Sequence, residues 1–215
     1  MVESIRLLHW NPSPVKTIDA PSYLIAIVLG LSQSKSVQKA AKNMVNESDL
    51  EAQHPCDLPE EALLEQCKVT RTRGSGPGGQ HRNKVETAIV VKHLPSGVAG
   101  QASEKRSQQA NKEVAVGRLR VNLALAMRSE RSGCSSRWKS RTQRGKLQVS
   151  AKHFDYAAVL AEAMDFVWQN QFDVAATAKQ VGTSTSQLVK FFKTCPAAFE
   201  AINRNRGQWG MNPLK

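Results

Sequence analysis

The sequence predicts an α+β fold: a small β-sheet packed on one long helix, an exposed glycine loop, and then a small all-α module. Three observations carry this. Four glycines and Pro77 crowd into Gly74–Gly79, which can continue neither a helix nor a sheet ladder. Short apolar runs suited to strands flank that loop, and a long helix-period pattern follows them. The last third carries a helix, a tight glycine turn and a second helix at short spacing.

Residues 1–56 show no sustained period before Asp57 and contain Pro12, Pro14 and Pro21, so a poorly ordered extension is expected. Met44 offers a second candidate start. The apolar run Tyr23 to Leu31 is too short to span a bilayer, and no membrane partner is expected. An organelle-targeting role for residues 1–43 is disfavoured by a single arginine, Arg6, which leaves a cytoplasmic location as the expectation.

A domain over 57–129 follows. Pro59, Glu60 and Glu61 suit a helix start, and the chain then predicts a strand over Cys67–Thr72. After the loop, Val85–His93 reads as a turn of helix passing into a strand. Pro95, Ser96 and Gly97 turn it back into Val98–Ala102. Ser103 is the expected cap of a long helix reaching about Arg128, with an apolar face that includes Ala110, Val114, Leu119 and Leu123.

Charge is distributed unevenly along the 215 residues, whose net formal charge is +12. Residues 1–62 carry a net of −3, 63–129 a net of +8, 130–152 a net of +6 and 153–215 a net of +1. The positive field therefore belongs to the loop region and the segment after it, which points to a polyanionic partner. Residues 130–152 read as a basic linker in which Trp138, amid Arg137, Lys139, Arg141 and Arg144, has the composition to stack on unpaired bases. A plain solvated linker is the competing reading.

Over 153–215, Tyr156–Asn170 predicts an amphipathic helix. Val174 to Phe192 predicts helix, turn at Gly182 and helix, and Pro196 begins another helix. The unit resembles helix-turn-helix modules of bacterial regulators. Its second helix brings only Lys190 and Lys193 as cations, which favours docking to RNA or protein over sequence-specific DNA readout.

The four cysteines form no C-x-x-C pair and have no histidine at ligand spacing, so reduced thiols and no metal are expected. Gly74, Gly76 and Gly79 match G-x-G-x-x-G, but Pro95, Ser96 and Gly97 stand where a dinucleotide site wants an acid. Ser75 and His81 lack the partners of a catalytic triad.

The run Ser75-Gly76-Pro77-Gly78-Gly79-Gln80, then Asn83-Lys84, Ser96-Gly97, Arg106-Ser107-Gln108 and Asn111-Lys112, resembles the catalytic domain of class I peptide chain release factors. The Pro77 form with Asn83 and Lys84 is closer to the ribosome-rescue peptidyl-tRNA hydrolases of that superfamily. The resemblance covers about 63–128. It implies hydrolysis of the peptidyl-tRNA ester in the P site, in contact with large-subunit ribosomal RNA, with no cofactor needed; a monomer is expected. Gly78, Gly79 and Gln80 would form the catalytic motif, with the Gln80 N–H stabilising the oxyanion, an effect that is strongest where water is excluded. Arg71, Arg73, Arg82, Asn83, Lys84, Arg106, Arg137, Trp138, Lys139, Arg141 and Arg144 would contact RNA, with residues 130–152 a candidate for the messenger channel. With no codon-recognition module in view, codon-independent rescue is expected. The alternatives are a non-catalytic ribosome- or RNA-binding protein of the same fold, and a DNA-binding regulator using the last module.

Overall fold

The computed structural model describes residues 54–72 and 87–215. A 3₁₀ turn, Pro55–Asp57, leads into helix α1 (Glu60–Glu65). Strands β1 (Cys67–Thr72), β2 (Ala88–His93) and β3 (Ala99–Ala102) form an antiparallel meander in the order β1-β2-β3. Helix α2 (Gln108–Ala126) lies across β2 and β3. Beyond it come α3 (Ser136–Arg141), a two-residue hairpin of β4 (Thr142–Gln143) and β5 (Lys146–Leu147), and helices α4 (Tyr156–Gln169), α5 (Val174–Gln180), α6 (Thr185–Lys193) and α7 (Pro196–Gln208).

The meander follows from period-two alternation. Ile89 and Val91 of β2 pair with Ala102 and Gly100 of β3, and these residues point toward α2, while Val90 and Lys92 point away. Gly100 lets the helix sit close. A Cβ there would stand 2.2 Å from the Ala115 carbonyl oxygen and 2.4 Å from the Leu119 nitrogen. The turn expected at Pro95–Gly97 forms with Gly97 at φ +72°, where glycine pays no steric penalty. The open edge of β3 is covered by its own helix, since Arg118 donates to the Gln101 carbonyl (2.7 Å) and Asn122 to that of Ala99 (2.7 Å). That cover removes the usual template for pairing with another chain.

Three expectations are corrected. Helix α2 starts at Gln108 with Ser107, rather than Ser103, as its cap, because the buried Asn111 amide folds Lys105 back beneath the helix start. Residues 130–152 are no loose linker: they contain α3 and the β4–β5 hairpin. Nor is the last third a module apart. Helix α4 packs on α2, and Leu119, Leu123, Val159, Leu160, Phe166, Leu188 and Phe192 belong to one continuous core within a compact unit that includes 54–215.

Helix α4 is buried almost all round, from Tyr156 to Val167, rather than on one face. A helix apolar on every side belongs inside. Its two interior acids, Glu162 and Asp165, then need partners. The expected turn between α5 and α6 is present, with Gly182 at φ +72° and Ser184 capping α6. Among the described residues, no helix is long and apolar enough to cross a membrane.

Candidate functional site

Gly78, Gly79, Gln80, Arg73, Arg82, Asn83 and Lys84 lie outside the described residues. Their base is described. The loop is carried between β1 and β2, whose last pair before it is Thr72 opposite Ala88, with Arg71 opposite Ile89 one step back. The one six-pair antiparallel ladder between β1 and β2 fixes where residues 73–86 leave and re-enter the sheet.

One buried side chain ties that re-entry point to the helix. Asn111, with no exposed surface, donates through Nδ2 to the Thr87 carbonyl (2.6 Å) and the Lys105 carbonyl (2.9 Å). Its Oδ1 accepts from the Lys105 N–H at 2.8 Å. The exit of the loop, the lead-in to α2 and α2 itself are thus held by one amide with both donors and its acceptor in use. At the far end of the sheet His93 is buried, its ring nitrogens paired with Ser96 Oγ (2.7 Å) and Gln66 Oε1 (3.0 Å). Burial lowers its pKa, so this imidazole serves as a neutral strut.

The β1–β2 pair and the lead-in to α2 are cationic. Lys68 stands directly opposite Lys92 on the sheet face turned away from α2, and both are exposed. Arg71, Lys105 and Arg106 are exposed too, and none of these five meets a carboxylate among the described residues. Like charges set opposite in a sheet repel. No group of three His, Cys, Asp or Glu among the described residues is placed to hold a metal ion.

The basic residues of 130–152 are used differently, and here the expectation of RNA contact is corrected in part. Trp138 is 1% exposed, with Nε1 donating to the Val181 carbonyl at 2.9 Å, so its ring has no free face for a base. Arg137 bridges Asp57 (2.6 Å) and Asp155 (3.0 Å), and Arg141 binds Asp155 at 2.6 Å. Arg131 meets the buried Asp165 at 2.8 Å, and the Ser135 N–H and hydroxyl both donate to Glu162 (2.8 and 2.6 Å). Burial pushes the Asp165 carboxyl above the ordinary aspartate value, with Arg131 opposing it. Lys139 and Arg144 alone of the proposed contacts in this segment are fully exposed. Arg144 and Gly145, at φ 50° and 74°, form the tip of the β4–β5 hairpin, and Thr183 donates to the Gly145 carbonyl at 2.7 Å.

Two features escaped the sequence reading. Asn111 stands four residues before Ala115 on the stripe Asn111, Ala115, Leu119, Leu123, and an amide on an apolar stripe is a signal of a buried tie. Glu162 and Asp165 inside an apolar helix were the matching signal for Ser135 and Arg131 upstream.

Residues 60–158 match the RF-1 domain family. A chloroplastic peptide chain release factor of Arabidopsis thaliana, PrfB1, is 44% identical over 80 residues, covering 35% of this chain and 18% of the relative. Peptide chain release factor 1 of Xylella fastidiosa is 45% identical over 65 residues, covering 30% of this chain and 18% of the relative. The chain thus spans less than a fifth of the length of these curated relatives. The part of the chain that holds residues 73–86, the strands β1 and β2 on either side of them, Asn111 and helix α2 is similar to the RF-1 domain of class I release factors.

Proposed function

We propose that this chain hydrolyses the ester of peptidyl-tRNA on ribosomes without reading a codon, as a rescue factor for stalled complexes or blocked large subunits. The observation that carries the reading is the Gly78-Gly79-Gln80 motif, in its Pro77 and Asn83-Lys84 setting, inside the stretch similar to the RF-1 domain. The reaction is attack of water on the ester carbonyl, releasing the peptide acid and the ribose hydroxyl of tRNA. The protein's part is to place the Gln80 N–H where the tetrahedral oxyanion develops, with Gly78 and Gly79 permitting the torsions and the close approach. The ribosome and substrate supply the rest of the positioning.

The anchored hairpin supports this role, because a loop that must reach into a ribosomal cavity needs a rigid base, and Asn111 supplies one at Thr87. Arg71, one pair from the end of the β1–β2 ladder, and Lys105 and Arg106 beside the Asn111 tie offer that base cations for phosphate, and Lys68 and Lys92 add two more toward the far end of the sheet. The reading assigns no messenger contact to Trp138, Arg137 or Arg141.

The test is single-turnover peptide release from purified complexes carrying peptidyl-tRNA, with messenger truncated at the P site or bearing a stop codon. Release on the truncated complex, abolished by Gly79→Ala while ribosome binding persists, is the expected result. Release only at a stop codon overturns codon independence. Binding without release on intact or split particles makes the chain a non-catalytic ribosome-binding protein.

A further inference from the structure

Helix α6 divides sharply into two faces. Leu188, Phe191 and Phe192 are buried, while Thr185, Ser186, Lys190 and Lys193 are exposed, with Val189 half-buried among them. The second group shares a shallow concavity of about 380 Å³ with Lys215. Lys215 is brought there by a fixed tail: Asn203 Oδ1 accepts from the Leu214 N–H at 2.7 Å, and Arg206 Nε donates to the Asn212 carbonyl at 3.0 Å. Two lysines from a helix and a third from a pinned tail therefore converge on one hollow lined by two hydroxyls. None of the three ammonium groups forms an ion pair with a described Asp or Glu, and that of Lys193 lies over the Phe199 ring, 5.7 Å from its centroid.

Lys190 and Lys193 are three residues apart on one helix face, a spacing at which like charges repel. The chain could have relieved this cheaply with a glutamate, as it does at Glu200 and Arg204 on α7. Instead the surface offers ammonium groups as point charges and hydroxyls as small donors, and no planar arginine or amide fork for reading a base edge. That chemistry suits a sugar–phosphate backbone rather than a base sequence.

We propose that the Thr185, Ser186, Lys190, Lys193 and Lys215 face of α6 is a docking surface for the phosphate backbone of double-helical RNA, separate from the glycine loop. The choice of RNA over DNA rests on the ribosomal reading above; the demand for a polyanion rests on the lysine cluster alone. Held by this face to a ribosomal RNA helix, the chain would raise the effective concentration of its loop at the reaction centre without any new contact there.

The test uses the full chain with a fluorescent mixed-sequence RNA duplex of about 20 base pairs, and a DNA duplex of the same sequence, titrated across a range of salt. In Lys190→Gln/Lys193→Gln/Lys215→Gln the slope of log K against log salt for RNA should shrink by about 2 to 3, one unit or slightly less per lost phosphate contact. Affinity at moderate salt should fall about tenfold. Arg204→Gln, whose cation already faces Glu200, should leave both unchanged. Ser186→Glu is a second probe: an acid in the first turn of α6 stabilises the helix, so weaker RNA binding with an undiminished Tm isolates the contact from folding. An unchanged slope in the triple variant overturns the proposal, and so does a loss seen on DNA but not on RNA. Gly79→Ala should bind the duplex as the parent does. If lysine-dependent RNA binding stands while peptide release fails, the docking face survives and the catalytic reading falls; the reverse result separates them the other way.

Discussion

Arg131, Arg137 and Arg141, in the segment after α2, meet Asp165, Asp57 and Asp155, whereas Lys68, Arg71, Lys92, Lys105 and Arg106, on the sheet and the lead-in to α2, meet no carboxylate among the described residues. Both regions are strongly basic in sequence, with nets of +6 over 130–152 and +8 over 63–129. The difference lies in what folds against them. Helix α4 is apolar enough to be buried, and the preceding segment serves the acids on it and just before it: Arg131 meets Asp165, Ser135 donates to Glu162, and Arg137 and Arg141 meet Asp155. A basic run is a candidate for nucleic acid only after its charges have been matched against acids elsewhere in the chain.

The sharpest way to break the comparison is at Trp138. If it is a packing residue, Trp138→Ala empties a site where the side chain is 1% exposed. Such truncations cost about 3–5 kcal/mol, a large share of a total stability of roughly 5–15 kcal/mol. Urea unfolding should show that loss, and Trp138→Phe should cost less, chiefly the Nε1 hydrogen bond to Val181. Were the ring a base-stacking element, stability would hold and RNA affinity would drop.

The seam between the two regions has a pH signature. His54, buried and bonded through Nδ1 to the Cys56 N–H at 3.2 Å, has its pKa lowered from 6.5 to about 4 by burial, with the Met127 backbone opposing it. In the unfolded chain it takes up its proton near 6.5, so between those values the unfolded state binds more protons and stability falls as pH is lowered. At about 1.4 kcal/mol per unit, the loss across the window is about 3 kcal/mol. The raised Asp165 carboxyl works in the opposite sense: its contribution is present at low pH and is lost as pH rises through the folded value. His54→Asn keeps a capping acceptor without the titration, so its stability measured by urea between pH 7 and 4 should fall less steeply than the parent's.

A third substitution sharpens the loop side. Asn111→Ala leaves the Thr87 and Lys105 backbone groups without their partner, at a cost of about 2 kcal/mol. Asn111→Asp should be worse, because a carboxylate cannot donate to the two carbonyls that Nδ2 serves. If Asn111 positions the loop, release at saturating ribosome concentration should fall more than ribosome binding does; equal loss in both would reduce it to a folding residue.

Much of this architecture was legible because it is local. Strand β1 has the expected bounds, β3 begins one residue later than expected, and the glycine turns at Gly97 and Gly182 fall where expected. Local signals fail where a partner lies far along the chain. Ser103 and Ser107 are both good caps by type; Asn111, reaching back to Lys105, decides between them. Arg131 finds Asp165, and Trp138 finds Val181, across 34 and 43 residues, distances over which no periodicity in the sequence speaks. Asn111 stood in the sequence as part of the run that resembles release factors, while its role as a buried tie showed only as an amide on an apolar stripe.

The smallest expected effect tests the exposed side of the comparison. Lys68 and Lys92 face each other across β1 and β2, exposed and with no carboxylate partner among the described residues. Directly opposed like charges destabilise a sheet by a few tenths of a kcal/mol up to about 1. Lys68→Gln/Lys92→Gln should therefore raise stability by roughly 0.5 kcal/mol in urea unfolding, while weakening ribosome binding more at low salt than at high salt. The two changes have opposite signs, so no general loss of structure can imitate them. Arg137→Gln reverses the pattern: it strips Asp57 and Asp155 of a cation, lowers stability, and leaves the salt dependence of ribosome binding close to the parent's. If both substitutions weaken binding alike, the arginines of 130–152 are shared between the fold and the ribosome, and the distinction between matched and unmatched charge does not hold.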